Sequence, residues 1–407
     1  MAKVIISFLG TGGYQDRNNK SRGSYRKTMY SIDNKVYECE FVTDALMQHY
    51  SAERIIYIGT LKSMWEVVFD TFVSEPDANK WQQLAELVDE ANFQTSIDNQ
   101  QLITDNFKNT IITPIILKYG LNDEENEFNI GRLFEIEQYL NNGDKLYLDV
   151  SHGFRSLPIV LTSVLNFIIE NSSKELTLEH ISYGMFEVSH EMDNISPIVN
   201  LNVVMDMNKT LKAAHEFKEY GNGYLFAELL ENTDKSISSI LESFSESKSL
   251  NHIYELKNKI QQLKNLKYDK LSVIQKKTVP ETIKDFIKRF NKAKTDSHYQ
   301  YEIAKWMFDK KQYGFAAISL TESILTKACE LKGLDLNKEY HRKLVKKNLI
   351  LIDTNIDTIW KNTNKIRKSS AHSLSVNKNT NRMICILKES IEASKSFIYS
   401  SYLPNRI

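Results

Sequence analysis

The rhythm of apolar positions changes near residue 206. Before it, short unbroken apolar runs alternate with stretches in which apolar residues recur every three or four positions. The runs at 3–9, 54–58, 110–117, 145–150, 176–186 and 198–205 predict strands, and the stretches at 41–50, 61–73, 79–91, 130–140 and 157–169 predict helices. Residues 25–39, loosely alternating around Ser31-Ile32-Asp33-Asn34, predict a hairpin inserted after the first strand. Strands alternating with helices at these lengths predict a mostly parallel sheet covered on both faces. From residue 207 the period is helical throughout, with helices predicted at 208–220, 223–246, 249–267, 280–293, 298–311, 313–332, 338–351, 354–368 and 379–402. The stripe Ala317, Leu320, Ile324, Ala328 and Leu331, stopped by Gly333, is representative. The expected fold class is therefore α/β plus all-α, with a Rossmann-like domain at 1–206 and a helical domain at 207–407.

A chain of 407 residues is long for a single core, which agrees with two domains. No stretch approaches the apolar length of a membrane span, and the first residues lead straight into a strand, so neither a membrane partner nor a signal peptide is expected. Cys39, Cys329 and Cys385 are far apart and have no metal-ligand spacing, which suits a reducing cytoplasm and a protein with no metal site. The net charge of zero hides an asymmetry. Residues 1–206 carry 16 Lys/Arg against 30 Asp/Glu, a balance of −14, and residues 207–407 carry 36 against 22, a balance of +14. The basic half is the one to suspect of touching nucleic acid, although lysine-rich helices are also common where no nucleic acid binds.

Two polar turns stand out in the first half. Gly10-Thr11-Gly12-Gly13-Tyr14 follows the first strand and lets backbone N–H groups approach a phosphate or ribose, with Tyr14 placed to stack on a base. Asp149-Val150-Ser151-His152-Gly153-Phe154-Arg155-Ser156-Leu157-Pro158 joins a strand to a helix. Its helix start and the Arg155 guanidinium favour an anion. The same stretch reads equally well as a tight turn relieved by Gly153. Both turns follow strands of a parallel sheet, so they fall on the same edge, where ligands of such sheets bind. The glycine turn lacks the full dinucleotide fingerprint, which argues against a nicotinamide enzyme. Asp149, Ser151 and His152 are too close in sequence to form a triad.

In the basic half, Arg367-Lys368-Ser369-Ser370-Ala371-His372 lies in a window, residues 358–388, with seven basic residues and no acidic one. An arginine and a histidine are the parts needed to cleave RNA without metal. The histidine moves protons near neutral pH, and the arginine stabilises the charge that builds as a ribose hydroxyl attacks its own phosphate. Five positions on a helix are about 140° apart. Either the helix breaks near Ser369-Ser370, or a second chain completes the site across a two-fold axis. An ordinary basic helix end is the competing reading. The cluster His341, Arg342, Lys343, Lys346 and Lys347 reads as a solvated face or an RNA track.

Taken together, these motifs resemble the CRISPR-associated proteins that join a CARF domain to a HEPN domain. The stretch from Asp149 to Pro158 is similar to that family's Asp-x-Thr-His-Gly-x-Arg-x-x-Pro signature, with Ser151 in the threonine position. Leu9-Gly10-Thr11-Gly12 is similar to its first-strand turn. The family often has Asn directly after the arginine of its Arg-x4-His motif; here Lys368 stands there, and Asn364 lies one turn earlier. The resemblance implies a cytoplasmic homodimer, or a larger assembly, activated by cyclic tetra- or hexa-adenylate and needing no other cofactor. Gly10, Thr11, Gly12, Tyr14, Ser151, His152, Gly153 and Arg155 would bind the ring. Arg367 and His372, supported by Asn364 and Lys368, would cleave single-stranded RNA in type III CRISPR antiviral defence. Two alternatives stay open: a non-catalytic sensor whose helical domain binds nucleic acid or a partner, and a ring nuclease that degrades the activator in its first domain.

Overall fold

In a computed structural model the described residues are 1–11, 27–154, 156–371 and 379–401. Among them, eight strands form one sheet: β1 (Lys3–Phe8), β2 (Thr28–Ile32), β3 (Lys35–Cys39), β4 (Arg54–Gly59), β5 (Ile112–Ile116), β6 (Lys145–Asp149), β7 (Thr177–Gly184) and β8 (Ile195–Asn200). Their spatial order is β3-β2-β8-β7-β6-β1-β4-β5. The run from β7 to β5 is parallel throughout, and β2 joins β8 in parallel; only β2 with β3 and β7 with β8 are antiparallel. The central strands are apolar on both faces because both faces are covered. In β1, Val4, Ile6 and Phe8 enter one core layer and Ile5 the other. Helices α1 (Val42–Tyr50), α2 (Trp65–Phe72), α3 (Ala78–Glu90), α4 (Gln100–Asn106), α5 (Asp123–Phe134) and α6 (Leu157–Asn171) connect these strands. The β2–β3 hairpin turns on Asp33 and Asn34, both at positive φ, the pair its two-residue turn requires.

The remainder is helical: α7 (Val203–Tyr220), α8 (Tyr224–Leu230), α9 (Lys235–Ser249), α10 (Ile253–Lys264), α11 (Val273–Ile287), α12 (Asp296–Asp309), α13 (Tyr313–Leu331), α14 (Glu339–Lys347), α15 (Leu349–Ile352), α16 (Thr354–Ala371) and α17 (Thr380–Ile398). The chain divides into two compact units, Met1–Met205 and Asp206–Ile407. Several boundaries differ from the sequence reading: α5 begins at Asp123 and not at 130, α4 was not expected, and the helix expected at 338–351 is split into α14 and α15. Three further differences have a clear local cause. The strand expected at 198–205 stops at Asn200, because Asn202 turns the chain: its N–H donates to Asn200 Oδ1 (2.7 Å), its Oδ1 accepts from Ile181 N, and its Nδ2 donates to Glu179 O. The helix expected at 223–246 is broken by Asp234, whose carboxylate caps α9 through Ser236 N and Ile237 N. The helix expected to start at Pro280 begins at Val273, opened by a capping box of Ser272 and Gln275, with Pro280 inside it.

A buried histidine pins the end of the helical unit. His298 Nδ1 accepts from Lys294 N (3.1 Å), so the ring proton resides on Nε2, which donates to Ile398 O (3.0 Å). The ring stacks on Tyr399, whose hydroxyl donates to Glu302. Burial pushes the His298 pKa below that of a free histidine, and Lys327 adds to this, while the bond to Ile398 O and the charges of Glu330 and Glu302 oppose it. The unfolded chain then binds more protons than the folded one, so this contribution to stability is present above the ordinary histidine pKa and is lost as pH falls through the folded value. The difference in melting temperature between neutral and mildly acidic buffer is expected to shrink in His298→Gln. An unchanged pH dependence would remove His298 as its source.

Candidate ligand site and candidate catalytic helix

In the first unit, register brings three strand ends together. Phe8 of β1 pairs with Ile58 of β4, and Ser7 of β1 with Asp149 of β6. Beyond these ends lies a cavity of about 180 Å³ lined by Phe8, Leu9, Gly10, Thr11, Ile58, Gly59, Thr60, Ser63, Gly153, Phe154 and Leu157. The structure therefore brings Gly10, Thr11 and Gly153 to one place, at the carboxyl edge of the parallel strands. A pocket for an entire small molecule runs to about 300–1,000 Å³, so this cavity is smaller than one that encloses a whole ligand.

Two glycines shape it. Gly153 has φ +92°, and a Cβ there would sit 2.8 Å from the Phe8 Cβ. Only glycine lets that backbone pass so close to β1. At Gly59 a Cβ would fall 2.7 Å from Ser63 Oγ and 2.9 Å from the Trp65 ring. Ser63 closes the adjoining wall: its hydroxyl donates to Leu9 O (2.7 Å) and accepts from Thr60 N (3.0 Å). Phe154 is half-exposed and its ring packs against Tyr119. Burial raises the Tyr119 hydroxyl pKa, with the neighbouring Thr60 side chain opposing. Thr60 and Ser63 are site residues that the sequence reading missed. Gly59-Thr60 was legible as a strand end, but nothing in sequence signalled that β4 lies next to β1.

Asp149 anchors the signature turn without facing the cavity. Its carboxylate is fully buried and accepts from Ser7 Oγ (2.6 Å), from Ser151 N (3.0 Å) and from the Ser151 hydroxyl. Ser151 Oγ in turn accepts from Gly184 N (2.7 Å). The Ser151 hydroxyl thus donates to Asp149 and accepts from Gly184 N, which suits a positioning residue. His152 is half-buried and does not line the cavity. Nearby, the Tyr30 hydroxyl is pushed up to about 12, chiefly by burial, with Cys39 and Asp149 adding to it. Gly12, Tyr14 and Arg155 lie outside the described residues.

In the second unit, α16 continues through Ser369 and Ser370 to Ala371, so no break at the two serines separates the Arg367–His372 pair. Ser370 Oγ donates to Ile366 O within the helix. Arg367 is half-buried, and its Nε donates to Oδ1 of the buried Asn364 at 3.0 Å. Lys368 is exposed. His372 lies outside the described residues. In the basic cluster on α14, Arg342 pairs with Glu322 and reaches Thr326, the exposed Lys343 pairs with Glu339, and Lys346 lies over the Trp360 ring. No helix among the described residues is long and apolar enough to cross a membrane.

A Rossmann-like sheet carrying this signature turn beside a glycine turn defines a CARF-type unit, and comparison with known proteins agrees. Residues 4–186 match the family described as the CARF domain of the CRISPR system endoribonuclease Csx1. Residues 206–299 match the second domain of CRISPR-associated protein MJ1674. The chain is 30% identical over 374 residues to CRISPR-associated protein MJ1674 of Methanocaldococcus jannaschii, covering 86% of this chain and 57% of that protein. Enterococcus italicus Csm6 bound to cyclic hexa-2'-fluoro-hexa-dAMP aligns at 12% identity with a TM-score of 0.34, over 98% of this chain and 93% of that one. The first unit is thus similar to the CARF domains of CRISPR-associated proteins, and the chain spans about 57% of the length of the relative it matches.

Proposed function

We propose that the chain is a cyclic-oligoadenylate-activated, metal-independent endoribonuclease that cuts single-stranded RNA in type III CRISPR defence. The observation that carries this reading is the cavity between Gly10-Thr11 and Gly153 on the carboxyl edge of a CARF sheet. It is sized for one nucleotide component of a ring. Gly12, Tyr14, Ser151, His152 and Arg155 belong to the same two turns, and residues 207–407 are read as a HEPN domain. A face beside the cavity supports a homodimer. Ile159 and Phe167 of α6 are 73% and 55% exposed, and the Phe134 ring of α5 meets Phe167. Large exposed apolar side chains on one helix are what a subunit interface would cover. A two-fold axis there would let one near-symmetric ring contact both chains.

Ring binding shifts the dimer between two arrangements and brings the two Arg367/His372 pairs into register. His372 takes the proton from a ribose 2'-hydroxyl, the oxygen attacks the adjacent phosphorus, and Arg367 stabilises the charge on the phosphorane. The P–O5' bond then breaks and the leaving oxygen takes up a proton, giving a 2',3'-cyclic phosphate and a 5'-hydroxyl. No step uses a metal. The purified protein is expected to cut single-stranded RNA in EDTA only when cyclic tetra- or hexa-adenylate is added, and Arg155→Ala to lose that activation with the fold intact. Cleavage that needs a divalent cation, or normal activation of Arg155→Ala, overturns the reading.

A further inference from the structure

We propose that the outer face of α16 is a track for the backbone of single-stranded RNA, with Lys361, Lys365 and Lys368 as its phosphate contacts. This rests on the ribonuclease reading for its biological meaning, but it is tested apart from cleavage. The three lysines follow at i, i+4 and i+7, so they stand on one helix face, and all three are exposed. At 1.5 Å rise per residue they span about 10.5 Å along the axis. That spacing lets neighbouring phosphates of an extended strand meet successive ammonium groups.

Charge complementarity selects the occupant. From Thr358 to Lys388 the sequence has no carboxylate to neutralise this face. Lys361 keeps an ion pair with the buried Asp357 at the helix start. Among the described residues, Lys365 and Lys368 have no carboxylate partner. On α14, by contrast, Arg342 is held by Glu322 and Lys346 lies over the Trp360 ring, which splits the more obvious basic cluster in sequence. The track also explains Lys368. Asn364 already holds Arg367 Nε, so the position after Arg367 is released from orienting it and can carry a charge toward substrate. Arg367 stands about 100° around the helix axis from Lys368, so the track runs along α16 beside the candidate catalytic arginine and not over it.

The test uses the full chain and a fluorescent single-stranded RNA with 2'-O-methyl riboses, which cannot be cut. Anisotropy titrations across a salt series give the slope of log K against log salt. The triple variant Lys361→Gln, Lys365→Gln, Lys368→Gln is expected to lower the magnitude of that slope by about 2, at roughly 0.7 per lost phosphate contact. Lys276→Gln, Lys277→Gln, Lys284→Gln, on the exposed surface of α11, is expected to leave it unchanged. An unaltered slope in the α16 variant, an equal drop in the α11 variant, or no RNA binding by the parent chain each overturns the track. If the parent binds with the full slope yet cuts no RNA when activated, the track stands and only the catalytic reading falls.

Discussion

With activator bound, Arg367→Ala is expected to cut single-stranded RNA at least about 100-fold more slowly than the parent, the scale of losing one preorganised stabiliser of a developing oxyanion. Ligand binding by the first unit should be unchanged, because Arg367 lies in the other compact unit. The geometry adds a graded test. Asn364 Oδ1 accepts from Arg367 Nε at 3.0 Å, one turn back on the same helix, and Asn364 is only 8% exposed. It is a positioning residue: it fixes which way the guanidinium fork points. Asn364→Leu keeps the volume and loses the acceptor, and a misaligned fork is expected to lower the rate roughly tenfold or more. Asn364→Asp keeps an acceptor at the same place and should recover most of that loss. A merely structural role would instead show as a lower melting temperature in both variants, with no recovery by Asp. Parent-like cleavage by Arg367→Ala would move the chemistry off α16.

The alternation of strands and helices was readable because covered parallel strands are apolar on both faces, as in β1 and β4, and cannot be mistaken for amphipathic helix. What misled was polar detail at element ends. Asn202 ends β8 by bonding backbone groups of β7, a contact 21 residues away in sequence for Ile181 and thus invisible to a local pattern. Pro280 looked like a helix start, yet the start was written earlier, in Ser272 and Gln275. The site divided the same way. The glycine turn and the signature turn were legible as two stretches on one edge, since parallel strands place their carboxyl ends together. The contribution of β4 was not, because Gly59, Thr60 and Ser63 have no chemistry that distinguishes them until strand order sets β4 beside β1. Asn364 was legible only as a neighbour one turn from Arg367, and its bond to Nε needed the side chains.

Asp149→Ala is expected to destabilise the first unit by about 3 kcal/mol or more, the cost of leaving several buried donors without an acceptor. One fully buried carboxylate receives Ser7 Oγ, Ser151 N and Ser151 Oγ. Ser151 Oγ then takes Gly184 N, so the same carboxylate ties β1, the signature turn and the end of β7. At about 2–4 °C per kcal/mol for a unit of this size, the melting transition should fall by roughly 6–12 °C. Asp149→Asn tests whether shape alone suffices. Its amide keeps one acceptor but turns N–H groups toward donors that need lone pairs, so most of the loss should remain. Ser7→Ala, which removes one bond from the network, should cost about 1 kcal/mol. Binding of the activator should fail in both Asp149 variants even at temperatures where the unit is folded. Gly153 sits at φ +92° against Phe8 only while the turn that precedes it is held to β1. A parent-like melting temperature in Asp149→Ala would mean that the turn is held by packing alone. The aspartate of the signature would then have to be explained by contact with ligand, which its complete burial opposes.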